Sequence, residues 1–283
     1  MGKVRVATDS CSGIPADLAQ EHGIEVIPLT VRFGEEAFRD GVDMTAEEFY
    51  RRLPSAADLP KTSQPSVAEF LEVFDRLAGE GDTAGILVVT LSHKLSGTYA
   101  SAVQAAREFN QVPVEVVDSL SASVPQTFAA LAASRAANRG ASLEEAAAAA
   151  REVADRCRLY ATLDTLEYLR RGGRIGRAAA WAGAVLQIKP VITLDGGEVA
   201  PVARLRTRAK AVEFILDRLG AEIKRDRPLH AGIIHATSPQ EAADLAEEVR
   251  KRFQPEELII SGLTPVLGTY AGPGVLGVAY YQD

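Results

Sequence analysis

From Leu91 to Ala102 the chain reads LSHKLSGTYASA, which sets Ser96, Gly97 and Thr98 behind the apolar run GILVVT and ahead of a helical pattern. Hydroxyls at such a strand-to-helix turn have four chemical uses: a nucleophile, a phosphate cradle, donors for a carboxylate, or a helix cap. A hydrolase elbow needs Gly-x-Ser-x-Gly, and the residue two before Ser96 is Lys94. His93 is close in sequence, but no acid partner for it is apparent from the sequence. Capping and anion binding are compatible, because a helix N-terminus presents N–H groups and the positive end of the helix dipole.

A second group of hydroxyls, Thr62, Ser63 and Ser66 in KTSQPS, also precedes a helical pattern, with Ser66 placed to cap it. The arginines of LRRGGRIGR, namely Arg170, Arg171, Arg174 and Arg177, suit phosphate or carboxylate, or else form a solvated helix end whose cations offset the dipole. GPGVLG, from Gly272 to Gly277, matches the dinucleotide-binding glycine pattern, but the helix and downstream acid that a dinucleotide needs do not follow. These glycines read as a tight turn with close backbone packing. The histidines are scattered without ligand spacing, so no metal and no cofactor are expected.

These residues must be positioned by alternating elements. Short Val- and Ile-rich runs (VRVATDS, IEVIPLTVRF, GILVVTLS, VEVVDS) alternate with helical patterns, which predicts an α/β fold with a mostly parallel sheet in the first half. The strands ending at Ser10, Ser92 and Ser119 bring small polar side chains to the carboxyl edge of the sheet, where open α/β sheets bind ligands. Thr45 and Glu48 have capping-box spacing. After about residue 156 the texture changes to a helix, a Gly-Arg turn, a further helix over the Ala-rich stretch, and a hairpin around Gly196 and Gly197. The boundary is placed there, giving an N-terminal α/β domain over 1–156 and a C-terminal α/β domain over 157–283.

With 283 residues the chain has room for two cores at roughly 100 to 200 residues per domain. Its formal net charge of -7 argues against nucleic acid as the main partner. No apolar run approaches the roughly 18 residues that a membrane span requires. The opening MGKVRVATDS enters a strand pattern at once and lacks a myristoylation motif, so the expected location is the cytoplasm. Cys11 and Cys157 stand far apart, without metal or disulfide patterning.

The ordered set ATDSCSGIP, KTSQPS, LSHKLSGTYASA, VVDS, LEYLRRGGRIG, KPVITLDGGEV, VARLRT and GTYAGPGVLG resembles the DegV family of bacterial fatty-acid-binding proteins over essentially the whole chain. The resemblance implies two α/β domains enclosing one long-chain fatty acid in an apolar tunnel at their interface. It implies no chemistry by the chain itself, but the role of a FakB-like subunit that presents the fatty acid to an ATP-dependent fatty acid kinase. The acyl phosphate so formed would enter phospholipid synthesis. Carried onto this chain, Thr62, Ser63, Ser96, Gly97, Thr98 and Tyr270 bind the carboxylate, and Arg174 and Arg206 serve phosphotransfer or partner contact. Where the family has GTHTGPG, this chain has GTYAGPG, so Tyr270 replaces a histidine. A phenol donates a hydrogen bond but is no cation near neutral pH, whereas histidine can be. The alternatives are a lipid carrier or sensor uncoupled from any kinase, and a Ser-dependent acyl hydrolase or transferase.

Overall fold

The computed structural model describes residues 2–56, 58–181 and 188–283. It divides into two compact units, Met1–Thr30 with Thr62–Asp155, and Val31–Lys61 with Arg156–Asp283.

In the first unit the strands Ile24–Ile27, Lys3–Asp9, Thr83–Thr90 and Val114–Asp118 lie in that order and all run parallel. The chain starts in the middle, steps to one side and then returns to the other, so the loops after Lys3–Asp9 and Thr83–Thr90 part at a topological switch point. One face of the sheet carries Ala7, Ile86 and Val88 against Phe70, Phe74, Ala102 and Ala105 of the helices Val67–Ala78 and Thr98–Glu108. The helix Val124–Asn138 is buried on nearly every side, which accounts for its run of small residues.

IEVIPLTVRF, expected as one strand, is two, Ile24–Ile27 and Thr30–Phe33, which belong to different sheets. Pro28 at the break has no N–H for a ladder, and the N–H of Leu29 donates to Ser10 Oγ at 3.1 Å instead. A three-stranded sheet has the order Glu36–Arg39, Thr30–Phe33, Lys61–Ser63.

The second unit is built on a six-stranded mixed sheet with the order Glu198–Leu205, Lys189–Asp195, Arg158–Thr162, Leu276–Gln282, Leu229–His235, Glu257–Gly262. Only the last pair is parallel. The helices Arg208–Glu222 and Pro239–Phe253 bury Ile215, Leu219, Leu245 and Val249 against it. The hairpin turns at Gly196 and Gly197, both with positive φ, as the sequence leads one to expect. The helix expected after the Gly-Arg turn is a 3₁₀ segment over Gly176–Trp181, and its continuation over 182–187 lies outside the described residues.

Residues 31–61, placed in the first domain by the boundary at 156, group with the second unit. The cause is long-range packing. Asp40, almost fully buried, accepts from the N–H of Val266 at 3.2 Å. Phe49 and Tyr50 of the helix Ala46–Arg52 close on Gly268, where an added Cβ would lie 2.6 Å from Tyr50 Oη and 2.7 Å from Phe49 Cε1.

Two histidines of one strand give this unit opposed pH responses. His230 Nδ1 lies 3.0 Å from Glu257 Oε2, and its ring stacks on Tyr281 with centroids 4.4 Å apart. The hydrogen bond to Glu257 raises its pKa, with Asp283 adding to the effect. Burial lowers the pKa of His235. A raised pKa contributes stability that is complete below the unfolded value of about 6.5 and is lost as pH rises through the folded value. For His235 the sign reverses, and stability falls as pH drops from about 6.5 toward the folded value. His230→Gln therefore lowers the melting temperature more at pH 5 than at pH 9, a difference that thermal melts at the two pH values measure.

Candidate functional site

The switch point of the first unit is fastened by Asp9, a fully buried carboxylate. Its Oδ1 accepts from Cys11 N at 3.0 Å and its Oδ2 from Leu91 N at 2.8 Å, so one side chain holds the starts of both diverging loops. The hydroxyls of Ser10, Ser92 and Ser119, which the sequence delivers to the sheet edge, are buried and turned to local work. Ser10 Oγ accepts from Leu29 N. Ser92 Oγ accepts from Lys94 N at 3.2 Å, and Ser119 Oγ accepts from Ser121 N at 3.2 Å. These serines shape the loops and leave presentation to residues further along.

Those residues are Ser96 to Thr98. The turn from Ser92 closes with Ser96 N donating to Ser92 O at 3.2 Å, and the helix begins at Thr98. Gly97 occupies the N-cap position without a side-chain cap, while Ser96 Oγ accepts from Thr98 N at 3.3 Å and lies 2.9 Å from Thr98 Oγ1. Ser96 thus does capping work from one position earlier than expected. Thr98 is fully buried, whereas Ser96 is part-exposed. Either hydroxyl can donate in the Ser96–Thr98 bond, so the pair uses one of its two hydroxyl protons there and has the other to offer an anion.

Gln64, which no sequence pattern singles out, ties the two hydroxyl-bearing segments to each other. Its side chain lies over Gly97, where an added Cβ would be 2.5 Å from Gln64 Nε2, and it donates to Ser101 Oγ at 3.2 Å. Thr62 and Ser63 immediately precede it, half-buried and exposed respectively. No local pattern in the sequence marks this contact, which depends on a glycine 33 positions away. Ser66 caps the next helix in a full capping box with Glu69.

The acid partner for His93 that was not apparent from the sequence is Asp118, whose Oδ2 lies 2.5 Å from His93 Nδ1. This does not assemble a triad, because Ser96 Oγ bonds Thr98 and not the imidazole.

In the second unit Arg174 follows the turn at Gly172 and Gly173, and its Cζ stands 4.8 Å from the ring centroid of Tyr270 on the helix Pro265–Ala271. Arg206 is exposed between the strand Glu198–Leu205 and Thr207, which caps the next helix, and makes no ion pair with the described residues. Arg170 pairs with Glu167 at 2.6 Å, and Arg177 with Asp195 and Glu198, so these two lie on a neutralised surface. The glycines of GPGVLG do serve turning and close packing: Gly274 has φ +76, and an added Cβ there would lie 2.1 Å from Asp164 Oδ2. Among the described residues no three His, Cys, Asp or Glu side chains gather as metal ligands, and no helix is long and apolar enough to cross a membrane.

Comparison with known proteins matches residues 3–283 to the DegV family model, described as "Uncharacterised protein, DegV family". A DegV domain-containing protein of Streptomyces coelicolor is 38% identical over 97% of both chains. A Thermus thermophilus DegV family protein, described for its fatty acid binding, superposes with a TM-score of 0.92 at 34% identity over 99% of this chain and 100% of its own. DegV of Bacillus subtilis, described as a fatty acid binding protein, gives 0.92 at 31% identity over 100% of both. Two further solved relatives, each 25% identical, are a Ruminococcus gnavus protein with vaccenic acid and a stearic acid-binding protein from Eubacterium ventriosum, with TM-scores of 0.86 and 0.87. The first covers 98% of this chain and 99% of its own, the second 99% and 98%.

Proposed function

The chain belongs to the DegV family, and on that premise we propose that it binds one long-chain fatty acid, with the carboxylate received by Ser96 and its neighbouring hydroxyls. The observation that supports this reading is the Gln64 side chain laid over Gly97, which ties the segment carrying Thr62 and Ser63 to the turn carrying Ser96. A carboxylate leaving water needs several such donors, while each buried methylene of the acyl chain contributes about 0.8 kcal/mol. The solved relatives described as fatty acid binding support the same ligand class. Gly97 serves by its lack of a side chain, and Thr98 by holding Ser96.

In this proposal the chain catalyses nothing itself and uses no cofactor or metal. It works in the cytoplasm and presents its fatty acid to an ATP-dependent kinase subunit, whose acyl phosphate product feeds phospholipid synthesis. Tyr270 is assigned to the carboxylate, and Arg174 and Arg206 to phosphotransfer or partner contact, by the positions of their motifs; the exposure of Arg206 suits the latter role. Titrating lipid-stripped protein with stearate tests the binding step, with saturation at one per chain expected and no uptake overturning it. Adding the kinase subunit and ATP tests the coupling: acyl phosphate supports presentation, and its absence with bound lipid intact leaves a carrier or sensor.

A further inference from the structure

The segments carrying Arg174 and Tyr270 are interlocked through aromatic rings set on glycines. At Gly172 an added Cβ would lie 2.4 Å from Tyr270 Cδ1, and at Gly272 it would lie 2.3 Å from Tyr168 Cδ2. Each ring lies against the other segment's glycine. Arg174, two residues past Gly172, folds back over the face of Tyr270 at 4.8 Å, and its Nη1 donates to Gly172 O at 2.9 Å. The backbone is closed beneath it, with Gly173 at φ +71 and Arg174 N donating to Leu169 O at 3.0 Å. A long, rotamer-rich side chain is thereby restrained at its turn, at its guanidinium and at its stacking face.

We propose that the ring of Tyr270 is the positioning element for the Arg174 guanidinium, and that the two form a preorganised fork for an oxyanion carried on an acyl chain. Tyr270 acts through its face rather than through its hydroxyl. This rests on the reading of the chain as a lipid-binding protein and revises how Tyr270 serves it: the residue reaches the anion by way of Arg174. A planar guanidinium matches both carboxylate and phosphoryl oxygens, so one fork suits the fatty acid and its phosphorylated form alike. The stack also explains why Gly172 must be glycine, since any side chain there would displace the ring.

The test uses the full chain with two probes, stearate for the carboxylate and octadecylphosphonate for the phosphoryl group. Tyr270→Phe keeps the ring and is expected to bind both probes about fivefold or more tightly than a variant that loses it. Tyr270→Leu removes it and is expected to weaken octadecylphosphonate by about tenfold, a loss no greater than that of Arg174→Ala. The double variant is expected to be no weaker than Arg174→Ala, because the ring acts only through the guanidinium. A loss from stearate alone would restrict the fork to carboxylate, and a loss from the phosphonate alone to the phosphoryl form. Tyr270→Phe as weak as Tyr270→Leu, or additive losses in the double variant, would overturn the proposal.

A reading without ligand separates this from the lipid hypothesis. The Arg174 Nε–Hε resonance should be shifted upfield by the ring current in the parent protein and in Tyr270→Phe, and should lose that shift in Tyr270→Leu. A parent protein that binds neither probe overturns the lipid reading and the fork with it, even where the ring-current shift persists. A parent protein that binds both, with Tyr270→Leu unchanged in affinity and resonance, overturns the stack alone.

Discussion

Ser96→Ala lowers the affinity for stearate by about tenfold to a hundredfold while the protein stays folded. The hydroxyl is read as a donor to a carboxylate, and a hydrogen bond to a charged group contributes about 1.5–3 kcal/mol, with tenfold for every 1.4 kcal/mol. The structural cost is smaller. Thr98 N loses a 3.3 Å acceptor, comparable to the loss of a cap at about 1 kcal/mol or less, and the helix keeps its Ser101 N to Gly97 O bond at 3.0 Å. The measurement is a calorimetric titration of the variant beside its melting curve. The same variant decides against the hydrolase alternative. A nucleophilic Ser96 would give ester turnover that vanishes in Ser96→Ala with ligand affinity little changed, the reverse of the pattern expected here.

The largest effect on stability is expected from Gly272→Ala. Gly272 ends the helix Pro265–Ala271 with φ 73 and ψ -177, a backbone conformation essentially confined to glycine that costs other residues roughly 1–3 kcal/mol. The added Cβ would also sit 2.3 Å from Tyr168 Cδ2, a stiff ring that cannot swing away without giving up the interlock with the Arg174 turn. Strain and overpacking together give a loss of about 3 kcal/mol or more, a fall in melting temperature on the order of 10 °C. Gly173→Ala provides the contrast. Gly173 also has positive φ, but nothing lies within 4 Å of an added Cβ, so only the backbone term of about 1–2 kcal/mol remains. Thermal melts of the two variants side by side check the ranking.

These contrasts also show which parts of the molecule were legible in its sequence. Local signals are legible: the helix caps at Thr45 and Ser66, the Gly196-Gly197 hairpin and the buried strand over GILVVT each depend on neighbours a few residues apart. The allocation of residues 31–61 did not read correctly, because it depends on Asp40 meeting Val266 and on Tyr50 meeting Gly268 across more than two hundred residues. The hydroxyls of the candidate site were visible as a group but not by duty. Ser10, Ser92 and Ser119 stand at strand ends in the same way as one another, and only the folded loops show that their oxygens are occupied by Leu29, Lys94 and Ser121. Gln64 was part of a noted motif, yet its meaning lies in the space that Gly97 leaves open.

The central claim is that this chain carries a fatty acid. The most direct measurement is mass spectrometry of an organic extract from protein purified without added lipid. One long-chain fatty acid per chain is the result expected, and its length and unsaturation would identify the acyl preference. Protein that yields no fatty acid and takes up no added stearate would contradict the account.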